Sequence, residues 1–348
     1  MRPNKAELIE MLSLSGKDEL EELYKRAYQV KKEHVGTKVY FRGIIELSNI
    51  CTKNCYYCGI RRDNANNNRY IMQKSEVLEE AEWAWKQGYG SIVMQAGERE
   101  DKWFVSLVAD LLKEIKSLTN GELGVTLSLG EQTEETLKLW QESGAHRYLI
   151  RIETSNQELY KQLHPADHSF TRRLETIRTL KKLGWQTGTG VMTGLPGQTV
   201  EDLANDILFF YDEDIDMLGM GPFIPHKDTP LGHLVEAFDQ EHALEAGLKL
   251  IATCRIALKD INIASSTALQ ALNPTGREMG LLAGANIIMP NITDVKYRAS
   301  YQLYEGKPCL DENASECVHC LERRIESIGE EIGYKMWGDS PHFTGRRS

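Results

Sequence analysis

Long apolar runs are the first thing missing from this sequence. No stretch approaches the roughly 18 to 20 consecutive apolar residues that a membrane-spanning helix needs. The opening residues, MRPNKAELIEMLSLSGKDELEELYK, mix acids and bases with leucines at helical spacing and form no apolar leader. A cytoplasmic protein with no membrane partner is expected. Positive charge is also in deficit: 41 Lys and Arg stand against 51 Asp and Glu, a formal net charge of -10. That argues against nucleic acid as a partner, because such binding draws its affinity from cations set against phosphates. Low-complexity tracts are lacking, and 41% hydrophobic with 26% charged residues is ordinary for a globular chain. Cysteine is scarce, seven in 348 residues, and six of the seven fall in two tight groups. That distribution fits metal or cluster ligands in a reducing compartment better than a disulfide framework in a chain of this size.

What is present is a repeating alternation. Residues 4–33 read as a pair of amphipathic helices, with Leu20, Leu23, Tyr24 and Ala27 on one face. Strand-like runs follow at 39–48, 91–95, 124–130, 146–154, 186–194, 217–223, 263–269 and 285–290, separated by helical stretches at 75–87, 102–117, 133–143, 170–183, 200–212 and 238–258. Strands joined through helices make a parallel sheet, and eight such units predict an α/β fold, a complete (β/α)8 TIM barrel. A six-unit partial barrel is the alternative, since the fifth and seventh runs are rich in Gly, Ser and Thr. The domain reading is an N-terminal helical extension over 1–36, the barrel over 37–300, and a C-terminal extension with a helical tail over 301–348. In such a barrel the site lies at the C-terminal ends of the strands.

Directly after the first strand, Cys51, Cys55 and Cys58 form C-x3-C-x2-C, three thiolates within eight residues. The spacing suits a cubane, but the next cysteine, Cys254, lies nearly two hundred residues on in an apolar helical run and reads as a small core residue. One iron is left without a protein ligand, and an open metal position marks a catalytic site. A three-Cys zinc site is the plain alternative. The motif, with Tyr56 and Tyr57 inside it, resembles the signature of the radical S-adenosylmethionine superfamily. The resemblance implies a 4Fe-4S cluster whose open iron chelates S-adenosylmethionine, and an electron that cleaves the sulfonium to give a 5'-deoxyadenosyl radical.

Further segments resemble the FeFe-hydrogenase maturase family HydE, close to biotin synthase and methylornithine synthase: IIELSNICTKNCYYCGIRRDN (44–64), VTLSLGE (125–131), RYLIRIETSN (147–156), GLPGQT (194–199), GPFIPHKDTPL (221–231), GANIIMPN (284–291) and YQLYEGK (301–307). The similarity runs from about residue 38 to residue 306. It implies a cofactor pocket in which Tyr57 lies near the adenine, Gln95, Thr126, Ser128 and Glu153 fix the nucleoside and the methionyl ammonium, and Arg173 pairs with the methionyl carboxylate. The charges suit a zwitterionic ligand; the bland alternative for Glu153 is a barrel-end salt bridge. QAGE (95–98) departs at Ala96 from the Gly-Gly-Glu turn of related enzymes, and GLPGQT reads as a tight turn first. Deeper in the barrel the family pattern places a small anionic substrate against Arg151, Ser266, Thr267, Met289, Tyr301 and Tyr304. An arginine in a dry cavity needs an anion, with a structural ion pair as the alternative for Arg151. The implied activity is hydrogenase active-site maturation on a sulfur-bearing or iron-complex substrate, with a reducing electron-donor protein and other maturation proteins as partners. A methylornithine-synthase-like or biotin-synthase-like enzyme acting on an amino-acid-like molecule is one alternative, and a non-catalytic iron-sulfur carrier another.

Cys309, Cys317 and Cys320 form C-x7-C-x2-C in the tail. Some HydE members carry an accessory cluster on this spacing, which implies a surface 2Fe-2S or 4Fe-4S cluster dispensable for catalysis. A zinc site completed by His319 and free thiols are the alternatives.

Overall fold

Alternation along the first three strands decides the architecture. In β1 (Lys38–Ser48), Ile45 and Leu47 belong to the continuous apolar core outside the sheet, while Ile44 and Glu46 face the interior. The pattern repeats in β2 (Ser91–Ala96), with Ile92 and Met94 outward and Val93 and Gln95 inward, and in β3 (Gly124–Ser128), with Val125 and Leu127 outward and Thr126 and Ser128 inward. A period of two sends large aliphatics to one face and polar groups to the other. Each aliphatic buried beneath a helix contributes about 1.5–3 kcal/mol, so the register is strongly fixed: Glu46, Gln95 and Ser128 stand level, as do Ile44, Val93 and Thr126.

The computed structural model describes residues 2–311 and 314–347, without the side chains of 314–319 and 347. The sheet continues through β4 (Arg147–Leu149), β5 (Gln186–Thr189), β6 (Met217–Leu218), β7 (Asn262–Ser265) and β8 (Ile287–Ile288), every pairing parallel. Tyr40 and Phe41 of β1 pair with Ile287 and Ile288 of β8, which closes the ring. The chain is therefore a complete (β/α)8 barrel, and the six-unit alternative falls. The fifth and seventh strands form in spite of their Gly, Ser and Thr content because both neighbours supply ladder partners.

Several ladders are shorter than their sequence runs. The fourth ends at Leu149, and Ile150 to Thr154 leaves the regular ladder. The fifth and sixth break and resume as a second pair, Met192–Thr193 against Gly221–Pro222. The run predicted as strand over 263–269 turns helical at Thr267, the start of the helix Thr267–Leu272. In each case the chain splays at the mouth of the barrel, where regular pairing gives way to loops.

Outside the ring, α1 (Lys5–Ser13) and α2 (Lys17–His34) pack on the helices Val200–Asp212 and Gln240–Leu258, burying Leu20, Leu23 and Ala27 along the expected face. The C-terminal segment crosses the opposite end of the barrel from the cysteines. Glu331 and Ile332 pair with Lys38 and Val39. The Gly338 carbonyl then accepts from Arg42 (3.0 Å) and Asn262 (2.8 Å), and the Trp337 carbonyl from the fully buried Arg147 (2.8 Å). Among the described residues no helix is long and apolar enough to cross a membrane.

Candidate active site

β1 delivers the chain to the mouth at Ser48, and the cysteine loop begins there. Cys51 Sγ accepts hydrogen bonds from the backbone N–H groups of Lys53 (3.4 Å) and Glu98 (3.3 Å), so the tip of β2 supports the first thiol directly. That approach needs glycine at position 97. A Cβ there would lie 2.5 Å from the Ile50 carbonyl oxygen and 2.8 Å from the Cys51 Cβ, whereas Ala96 is accommodated. The loop is held from the other side by His168, whose Nε2 accepts from the Asn54 N–H at 2.9 Å.

Cys51, Cys55 and Cys58 line one cavity. Burial pushes all three thiols up, Cys55 to about 12, and their mutual repulsion adds to the shift in Cys55 and Cys58. Thiolates so placed need bound cations to remain ionised. Among the described residues no three His, Cys, Asp or Glu donors converge on one metal ion.

The cavity, of about 350 Å³, extends from this triad down to Arg42. Its walls include Tyr57, Gln95, Thr126, Ser128, Glu153 and Arg173, and also Arg151, Ser266, Thr267, Met289, Tyr301 and Tyr304. All twelve residues that the resemblance assigned to cofactor or substrate thus line one cavity. Several present unused polar atoms to it: Thr126 Oγ1, Ser266 Oγ and Arg151 Nε are buried without a hydrogen-bond partner. Orphaned polar atoms in a cavity wall cost stability unless a ligand completes them, so the wall fits a polar small molecule. Glu153 sits at the mouth with φ +67, a conformation that costs a non-glycine residue about 1–2 kcal/mol. Its backbone is fixed by bonds to Gly190 and Met192, both 3.1 Å.

Arg151 and Glu153 form one ion pair at 3.1 Å, and Arg151 also donates to the Val191 carbonyl (2.9 Å). The salt-bridge alternatives for these two residues are therefore realised together, on the cavity wall. Arg173 is more committed than the resemblance implied. Its Nε holds Glu131 at 2.7 Å and its Nη1 donates to the Arg151 carbonyl at 2.8 Å, leaving Nη2 3.9 Å from Glu98.

Sequence reasoning assigned no role to the charges around that arginine. Lys53 bridges Glu98 (3.2 Å) and Glu131 (3.0 Å) beside the cysteines. Burial raises the Glu98 carboxyl, whereas for Glu131 burial is outweighed by Arg173 and Lys53 and the carboxyl stays below its usual range. Deeper, Glu46 pairs with Lys307 and accepts from Asn291 (3.1 Å). Tyr57 meets His164, its hydroxyl 3.3 Å from Nε2. Lys53, Glu46, Glu131, Asn291 and Lys307 lie inside segments that carried the resemblance and Glu98 in the QAGE turn that departs from it, but only the packed barrel shows that they meet.

In the second cysteine group, Cys309 has φ +61 and its Sγ accepts from Gln270 Nε2 at 3.9 Å, and Cys320 is exposed. The side chains of Cys317 and His319 lie outside the described residues. Cys254 is fully buried in the core, as expected.

Comparison with known proteins adds to this geometry. A profile of the Radical SAM superfamily matches residues 45–210. The chain is 45% identical over 331 residues to the [FeFe] hydrogenase maturase subunit HydE of Thermotoga maritima, covering 95% of this chain and 92% of that one. It is 30% identical to the 3-methylornithine synthase of Methanosarcina acetivorans, over 92% and 88% of the two chains. The crystal structure of methylornithine synthase (PylB) superposes with a TM-score of 0.80 at 25% identity, covering 96% of this chain and 95% of that one.

Proposed function

Because this chain belongs to the radical SAM superfamily, in the family of the HydE hydrogenase maturases, we propose that it cleaves S-adenosylmethionine reductively and acts on a small sulfur-containing or iron-complex substrate in assembling the FeFe-hydrogenase active site. The observation that carries this reading is the convergence of three thiols and several orphaned polar atoms on one barrel cavity. Cys51, Cys55 and Cys58 are the residues that would hold a 4Fe-4S cluster. When bound, the cluster and S-adenosylmethionine together supply a primary carbon radical.

The protein's own contribution is binding, orientation and exclusion of water. Tyr57 offers its ring to the adenine. Gln95, Thr126, Ser128 and Glu153 supply acceptors and donors for the nucleoside and the ammonium. Arg173, steadied by Glu131, keeps Nη2 for the carboxylate. Arg151, Ser266, Thr267, Met289, Tyr301 and Tyr304 line the substrate end, where Arg151 supplies the cation for an anionic group. A reducing electron-donor protein and other maturation proteins are the expected partners.

The test is direct. Anaerobically reconstituted protein, reduced in the presence of S-adenosylmethionine, should yield 5'-deoxyadenosine and methionine, and Cys51→Ala should yield neither. Absence of both products from the wild-type chain would favour a non-catalytic iron-sulfur carrier. The likeness to methylornithine synthase supports a second reading, a carbon-skeleton enzyme. Deuterium transfer from a labelled amino acid into 5'-deoxyadenosine would decide for it. For the tail cysteines we propose an accessory 2Fe-2S or 4Fe-4S cluster. A Cys309→Ser, Cys317→Ser, Cys320→Ser variant should retain nucleoside cleavage and lose only the iron in excess of four per chain.

A further inference from the structure

One side chain outside the triad closes the cysteine loop. Arg69 donates from Nη1 to the carbonyls of Asn49 (2.7 Å) and Ile60 (2.8 Å), and from Nη2 to those of Arg61, Arg62 (3.2 Å) and Asn64 (3.2 Å). Carbonyls from both sides of the three cysteines thus converge on a single guanidinium. Its hydrogen-bond acceptors among the described residues are all neutral, so the charge is solvated by backbone dipoles and not cancelled by a carboxylate. The asparagines beside it tie down the same segment: Asn49 Nδ2 donates to the Asn68 carbonyl (2.7 Å), Asn64 Nδ2 to the Gly59 carbonyl (2.6 Å), and Asn49 Oδ1 accepts from the Tyr70 N–H (2.8 Å). The residue type matters. A planar fork of five N–H donors can satisfy several carbonyls at once, whereas an ammonium offers three donors around a point.

We infer that Arg69 is a positioning residue of the cysteine loop: it holds Cys51, Cys55 and Cys58 in their cluster-receiving arrangement before iron arrives, and its uncancelled charge makes the bound cluster easier to reduce. The segment between Ile50 and Tyr70 contributes no regular helix or strand, so its shape depends on loop and side-chain hydrogen bonds, of which Arg69 alone makes five. Bound to the carbonyls of Asn49 and Ile60, on either side of the three cysteines, the charge lies beside the cluster-receiving loop, and a nearby cation stabilises the more negative, reduced form of any iron-sulfur centre. The second half of the inference rests on the proposed cluster, whereas the first does not.

Two variants separate the halves. In the iron-free chain, R69K and R69Q should both speed amide exchange across residues 51–64 by about tenfold or more, the loss of one or two charge-assisted hydrogen bonds, with exchange in the barrel strands unchanged. In reconstituted protein, R69Q should move the cluster's midpoint potential to more negative values, and R69K should restore it. Wild-type exchange rates in the loop of both variants would overturn the positioning role, and an unshifted potential in R69Q would overturn the electrostatic one. If R69Q does not accumulate as a folded chain, R69K decides, and unaltered loop exchange in that variant sinks the inference. Failure of the wild-type chain to take up any cluster would count against the proposed function, and the exchange measurement on iron-free protein would still test Arg69.

Discussion

Thr126 shows how one residue can be read twice. Its position at the second alternate site of β3 sends it into the barrel, and there its Oγ1 has no partner. Replacing an orphaned buried hydroxyl by an isosteric methyl removes a desolvation cost of about 1–3 kcal/mol. Thr126→Val should therefore raise the urea midpoint of the ligand-free chain while weakening S-adenosylmethionine binding by about tenfold. Equal binding by the two proteins, measured by calorimetry, would remove Thr126 from the cofactor wall. In the sequence Thr126 was placed at the pocket by the family resemblance, and the alternation of β3 in the structure agrees with that placement. The contacts of Arg173 were not legible in the sequence, because its partners Glu131 and the Arg151 carbonyl come from other strand ends, and no local pattern records which distant acid a guanidinium meets.

At the scale of elements, helices and strands were found where periodicity put them, and the differences cluster at the mouth. Thr267 illustrates why: a β-branched residue in an apolar run reads as strand, yet the chain must leave the sheet at Ser265 and begins a helix instead. The tail offers a test of its own. The helix Pro341–Arg347 is pinned through His342, whose Nε2 lies 2.7 Å from Asp214 and Nδ1 3.3 Å from Asp260. The bond to Asp260, opposed by burial and reinforced by Asp214, raises the His342 pKa above 6.5. A raised pKa means the folded state binds the proton more tightly than the unfolded one. The contribution is fully present below about 6.5, the unfolded value, and is lost as pH rises through the higher folded value. Amide exchange in residues 341–347, corrected for intrinsic rates, should accelerate over that rise, and His342→Gln should abolish the pH dependence. A wild-type profile in the variant would show that the imidazole does not pin the helix.

For the whole molecule, closure of the ring matters most. Eight parallel strands with a continuous outer core make the barrel independent of anything held at its mouth, so chelation of iron should leave a cooperative melt and nearly all far-UV ellipticity. Loss of more than half of that signal at room temperature would mean that metal binding is part of folding, as in zinc fingers. The sequence by itself determined the eight-unit alternation, the strand ends at which the site would lie, and the spacing of Cys51, Cys55 and Cys58, because each is a local periodicity or a short covalent distance. Only the tertiary structure decided that Lys53, Glu98, Glu131 and Arg173 form one charged cluster, that Arg151 pairs with Glu153, and that Arg69 gathers the cysteine loop. Those contacts depend on how far each strand climbs before the chain turns away, and that height is set by packing around the closed ring.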